Sequence, residues 1–384
     1  MARAEASTPW TLRLAAVAST GDRFVLPPML VAISRDLEIP LSATVVAAGA
    51  YFIAYGAMQP VWGIVSDRVG VVRTLTMALA IAALATLASV FADSAATLTV
   101  SRVAAGAAYA AIVPAGVTYV GDTVDGPARQ RAMTGFMTGI AVGIAAGSAL
   151  GGVLAAHVSW RTAYLVSGLL AAALAVTMRR LPTPAVSRRG MRVGASWHAL
   201  RTGNGVGIVL TLGFVEGALL LGAVTMLPLA VETTGATSAT AGLVTAAFGV
   251  AVGLFAPLAG RAAERMPVPR LIGFGALALA AACLVVAWRA TPVAAVVAAA
   301  LMGLGYTTMH SSLQTWATEV APVVRGTVVS VFAGLLFLGS AASSLLAGGP
   351  VGEGHASTVF VIGAAGALLL GVGGSAARAR WEQR

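Results

Sequence analysis

Four charged side chains, Asp22, Arg23, Arg102 and Glu216, fall inside long apolar runs of this sequence. A charge at the centre of a bilayer costs about 2.5–3.5 kcal/mol on insertion scales, so each one marks a pathway or a buried pair. Asp22 lies midway along the first apolar run and Glu216 midway along the seventh. A carboxyl in an apolar surround with a movable cationic neighbour can change its proton occupancy between conformations. Arg102, one to two turns into the fourth run, is the expected counter-charge for Asp22, with a static ion pair as the alternative to a proton site. Arg23 points about 100° away from Asp22 around a helix, so it can serve a partner helix or hold an anionic group. Glu216 has no arginine on its own run, which favours protonation over pairing there.

Two helical faces supply walls for a cavity. Tyr306, His310 and Gln314 are spaced by four and share a face, and Phe52, Tyr55 and Gln59 lie together in the same way. A cavity of mixed aromatic and polar character suits amphipathic organic molecules better than bare ions or a polyhydroxylated sugar, which would demand more carboxylate and amide partners. His310 reads either as a packed histidine or as a proton relay. His157, His198 and His355 share no metal-ligand spacing, and the single cysteine, Cys283, excludes an internal disulfide and a cysteine-based metal site. No metal and no cofactor is expected.

The elements that position these residues follow from composition. Of the 384 residues 58% are hydrophobic and 10% charged, and apolar stretches of about 20 residues recur, each long enough to cross a hydrocarbon core of roughly 30 Å. A water-exposed bundle would need one polar face per helix, and these runs lack it. Spans are predicted near 11–33, 42–64, 74–92, 96–119, 133–155, 161–178, 204–230, 238–260, 271–289, 293–316, 324–348 and 356–375. The stretch 179–203 is the one long polar connection, so the chain divides into a bundle over 1–178, a linker over 179–203 and a bundle over 204–384. The fold class expected is an all-α polytopic membrane protein of two six-helix bundles. The first ten residues are polar and the run after them lacks a small-residue cleavage site, so the first helix is expected to stay.

Charge sets the orientation. All 24 basic residues are arginine, and nineteen of them, among them Arg13, Arg68, Arg73, Arg129, Arg131, Arg179, Arg180, Arg261, Arg265, Arg270, Arg325, Arg378 and Arg380, fall on one side of a twelve-helix layout. The positive-inside rule makes that side cytoplasmic, with both termini and the 179–203 linker, in a plasma (inner) membrane. The net charge of +10 is thereby accounted for by anionic lipid headgroups and not by nucleic acid, for which interleaved exposed aromatics are missing.

The halves also repeat. "PVWGIVSDRVGVVR" (60–73) aligns with "PLAGRAAERMPVPR" (257–270), matching Pro60 with Pro257, Gly63 with Gly260, Asp67 with Glu264, Arg68 with Arg265 and Arg73 with Arg270. The same offset pairs Gly106 and Tyr109 with Gly303 and Tyr306, which adds Tyr109 to the cavity candidates. Gly143, Gly147 and Gly151, with Gly152 beside them, form a face of small residues on which a second helix can lie closely, for plain packing or for coupling of moving halves.

On these residues the chain resembles the major facilitator superfamily over nearly its whole length. The family's loop motif appears as Gly63, Asp67, Arg68, Gly70 and Arg73, with Val71 and Val72 where basic residues usually stand; Arg102 and Gly106 resemble its fourth-helix motif. "GIAAGSALGG" (143–152) looks like the fifth-helix pattern of the twelve-helix drug/proton antiporter branch, with Ser148 in the place of a proline. The resemblance implies a gating loop between the second and third helices, in which Asp67 latches onto the start of the eleventh helix near Val323 to Arg325; an ordinary charged surface turn is the alternative. It implies proton-coupled export of small amphipathic organic compounds by a monomer in the lipid bilayer. Uptake or exchange of an organic anion or metabolite stays open, and a membrane-embedded enzyme or receptor is disfavoured because no Gly-x-Ser-x-Gly, His-Glu-x-x-His or phosphate-binding glycine-rich lysine motif occurs.

Overall fold

The computed structural model describes residues 9–124, 126–184 and 205–383. Most of the predicted linker, and with it Arg188, Arg189, Arg192 and Arg201, lies outside the described residues, as does Arg3.

Twelve helices among the described residues are long and apolar enough to cross a membrane: α1 Trp10–Asp36, α2 Leu41–Val69, α3 Val71–Val90, α4 Ala95–Thr123, α5 Ala128–His157, α6 Trp160–Met178, α7 Val206–Glu232, α8 Ser238–Ala263, α9 Val268–Trp288, α10 Pro292–Glu319, α11 Arg325–Gly352 and α12 Ala356–Glu382. They form two six-helix bundles, α1–α6 and α7–α12. Large apolar side chains such as Leu84, Leu346, Leu369 and Val372 are exposed on the outside. Lipid is their natural solvent, because contact with hydrocarbon costs them nothing that water would impose. Inside the helices Pro60, Pro228, Pro257 and Pro350 are tolerated, as neighbouring helices can shield the backbone groups they free.

Glycines set the spacing. In α5 a Cβ on Gly143, Gly147 or Gly151 would run into the backbone of α1 at Val17, Gly21 and Val25, while one on Gly152 would run into α8 at Ser238 and Gly242. One helix thus lies flush against its own half on one face and against the other half on the next. Gly106 of α4 packs on the Tyr51 carbonyl of α2, and its repeat partner Gly303 of α10 packs on Ala251 of α8. The duplication read in the sequence is therefore also a duplication of helix contacts.

Among the described residues, the glycine contacts between α2 and α11 lie toward one end. Gly348 and Gly352 of α11 pack against Val45 and Leu41 of α2, Leu345 lies over Gly49, and Gly334 and Phe337 pack against Gly56 at mid-depth. Beyond that point, toward the end that carries Asp67, added Cβ atoms on Gly63, Gly260 and Gly326 would meet nothing within 4 Å. At the sealed end a cleft of about 550 Å³ opens between Arg35 and Asp36 of α1, Trp160 of α6, Glu232 of α7 and Ser238 of α8. It lies a dozen residues of helix, roughly 18 Å, from Arg23, and is a vestibule above the seal.

Candidate functional site

The structure brings Asp22 and Arg102 together. Arg102 Nη1 lies 3.3 and 3.2 Å from the two carboxylate oxygens of Asp22, and both side chains are wholly buried. Thr86 of α3 donates to Asp22 Oδ1 at 3.1 Å, Arg102 Nε donates to Ser89 Oγ at 3.0 Å, and Ser89 donates on to Ser101 at 2.9 Å. The guanidinium also lies 4.3 Å over the ring of Tyr164. Two charges can leave water at tolerable cost only with such a set of partners. Thr86, Ser89 and Tyr164 were not among the sequence candidates, since a hydroxyl in an apolar helix carries no signal of its own.

A second pair forms in the other half, which the sequence reading did not find. His310 Nδ1 of α10 lies 3.2 Å from Glu216 Oε1 of α7, with both residues buried. The approach is within ion-pair range, yet it lacks hydrogen-bond alignment: His310 Nδ1 and both carboxylate oxygens of Glu216 are left without a hydrogen-bond partner. The two groups are within the reach over which a proton can pass from one to the other once they align. A legible signal existed, because Asp22 and Arg102 belong to the first and fourth helices of their half and Glu216 and His310 to the first and fourth of theirs.

Both members of the second pair border a π-helical turn, Gly217–Leu221 in α7 and Tyr306–His310 in α10. Such turns widen the helix, shift the register of everything beyond them and concentrate at functional sites. Tyr306 and His310 still stack, with ring centroids 4.5 Å apart. Gln314, expected on the same face, is exposed one α-helical turn beyond His310. Tyr109 is fully buried between α1 and α4, where its carbonyl accepts from Ser19 at 3.2 Å.

Arg23 occupies the middle of the molecule. Its Cζ lies 4.9 Å from the ring centroid of Phe337, 5.1 Å from Phe24 and 5.3 Å from Tyr55. Phe337 belongs to α11, so rings of both halves cover this one cation. Phe52 stacks on Phe337 at 6.3 Å and Tyr55 meets it edge-on at 4.6 Å, Phe24 leads through Phe248 to Tyr306, and His310 continues to Phe332. Gln59 is buried one turn below Tyr55. Phe337, Phe248 and Phe332 escaped the sequence reading, since an aromatic residue in an apolar helix looks the same whether it faces lipid or a cavity.

The predicted gating loop is largely helix. Gly63, Asp67 and Arg68 lie within α2, which runs on to Val69, and Arg73 lies in the first turn of α3; the reversal is made by Gly70 alone, at φ 91°. Only glycine adopts that conformation without strain. A single-residue turn suffices because both helices keep their own hydrogen bonds to the break. Asp67 is exposed and makes no hydrogen bond or ion pair with the described residues, and Arg325 Nε donates instead to the Thr318 carbonyl at 3.0 Å. At the same end Arg378 of α12 pairs with Glu319 of α10 at 2.5 Å and with Glu382 at 2.8 Å, between the rings of Trp316 and Trp381.

Twelve duplicated helices in two halves, with ionisable pairs around a mid-depth centre, have the layout of a membrane transporter. The sequence matches the family model of the Major Facilitator Superfamily over residues 12–232 and 209–383, and the chain belongs to that family. It is accordingly a multi-pass membrane transporter and not an enzyme. No curated protein matches it in sequence. Among solved structures, a mutant of the nucleoside transporter NupG superposes with a TM-score of 0.78 at 14% identity, over 95% of this chain and 98% of that one. A D-xylose-proton symporter gives 0.76 at 15%, over 94% and 95%. A bacterial homolog of the human lysosomal transporter Spinster, inward-facing and unoccupied, gives 0.73 at 16%, over 96% and 94%. At such identities these likenesses speak for the fold.

Proposed function

We propose that the protein is a proton-coupled secondary transporter of small amphipathic organic compounds. One arrangement carries this reading: each half holds a buried ionisable pair between its first and fourth helices, and both pairs flank an aromatic centre to which both halves contribute. The Glu216–His310 pair, with polar atoms unmet, is the proton site that moves; Asp22–Arg102, closed in by Thr86 and Ser89, is the one that holds. The arginine asymmetry assigns the Asp67 end to the cytoplasm of a plasma (inner) membrane, with both termini there, so the conformation described is the one open to the cytoplasm. The linker 179–203 joins the two halves as a cytoplasmic tether, and the transporting unit is a monomer.

Export is the direction favoured by the resemblance of residues 143–152 to the antiporter pattern. The second reading, uptake or exchange of an organic anion, is favoured by Arg23, a mid-membrane cation without a paired carboxylate. Proteoliposomes with an imposed pH gradient decide between them. Antiport accumulates a compound in vesicles with an acidic lumen beyond the protein-free control, whereas symport does so when the bath is acidic. Accumulation that ignores the gradient in both arrangements removes proton coupling.

A further inference from the structure

One mid-depth charge has no partner in contact. Asp22 is matched by Arg102 and Glu216 is set against His310, but Arg23 makes no hydrogen bond or ion pair with any described residue. Its Nε is buried without a partner, while the side chain as a whole is only partly buried, so the terminal nitrogens reach accessible space. An arginine that cannot lose its proton and is not paired should be expelled from such a depth. Rings at 4.9–5.3 Å supply part of the compensation, since a desolvated guanidinium is attracted to the electron-rich faces of aromatic rings. They also shape what can approach, because Phe24, Tyr55 and Phe337 offer flat apolar faces next to a planar fork of donors.

We propose that Arg23 is the anion-binding residue of the transport site, and that the substrate is an organic anion with a flat apolar body: a carboxylate on the guanidinium and a ring or short hydrocarbon against Tyr55, Phe337 and Tyr306. The inference rests on the reading of this centre as the substrate cavity. Coplanar donors accept a carboxylate in two parallel hydrogen bonds, and the flanking rings exclude water from them. Both halves contribute, so a bound anion is held by the two bodies that must move together.

The test uses benzoate, 1-naphthoate and 4-phenylbutyrate, each beside its neutral amide, with the purified full chain. Thermal stabilisation should follow at least one carboxylate and not its amide. Arg23→Gln should weaken carboxylate binding by about tenfold or more, the share of a charge-assisted hydrogen bond, with Arg23→Lys in between. Equal stabilisation by acids and amides, no stabilisation by any of the acids, or undiminished binding in a folded Arg23→Gln protein would overturn the proposal. Flux separates it from the function proposed above: arginine-dependent binding without gradient-driven transport removes the proton coupling alone, while gradient-driven transport of the amides removes the anion site alone.

Discussion

At the scale of the residue, burial decides what a charge can do. Asp22 and Arg102 are wholly enclosed; Thr86 donates to Asp22 and Ser89 accepts from Arg102 Nε, while Arg102 Nη2 has no partner among the described residues. Removing one partner strands the other in a dry site, at a cost of about 3–5 kcal/mol. Asp22→Asn should therefore lower the yield of folded protein and its thermal midpoint, and the double change Asp22→Asn with Arg102→Leu should restore much of both. Equal losses in the single and double variants would mean that the charges do not act as a pair. Glu216 and His310 differ because no hydrogen bond joins the two atoms that approach each other. Glu216→Gln and His310→Gln should fold normally, abolish accumulation against a gradient, and leave downhill exchange of substrate in at least one of them, as measured in the same proteoliposomes.

At the scale of the element, glycines fix how closely helices lie and one glycine fixes where they turn. Gly147 sits on Gly21 so closely that an added methyl would overlap its backbone. Gly147→Ala must push α5 from α1, and overpacking of this kind costs about 1–3 kcal/mol. The thermal midpoint should fall, whereas Gly63→Ala, which meets open space, should leave it unchanged. The Gly63–Arg73 motif was legible in the sequence as charged residues at a reversal, but its helical form was not. Periodicity among apolar residues cannot show that α2 continues through Asp67 and Arg68, since polar residues at a membrane surface satisfy helix and turn alike. Asp67 is free in the conformation sealed at the other end, so a latch at this position would act in the opposite one. Asp67→Ala should then slow turnover with little change in substrate affinity, and a collapse of affinity at normal turnover would exclude the latch.

At the scale of the whole molecule, the two bundles form one seal that must break. Val45 of α2 and Gly348 of α11 touch across it. With Cys283 replaced by alanine, cysteines at both positions should cross-link on oxidation, stop transport, and release it on reduction. In the same background, a cysteine replacing Glu353, in the exposed turn beyond α11, should be labelled by an impermeant thiol reagent in intact cells, and one replacing Glu264, beyond α8, should be shielded. The reverse pattern would invert the orientation drawn from arginine.

Twelve spans, their repeat in two halves and the family were in the sequence, because a hydrocarbon solvent demands long apolar helices and a duplication leaves matched residues in its turns. So were the four intramembrane charges, each conspicuous against apolar neighbours. What they face was not. Asp22 and Arg102 could be matched by sign and depth, but Glu216 and His310 meet only through the packing of α7 on α10, and the π turns beside them shift register in a way that no spacing rule anticipates. Tertiary structure alone set the rings of α2 and α11 around Arg23. A contact between residues far apart along the chain depends on the angle and rotation of two helices, and neither is a property of either helix alone.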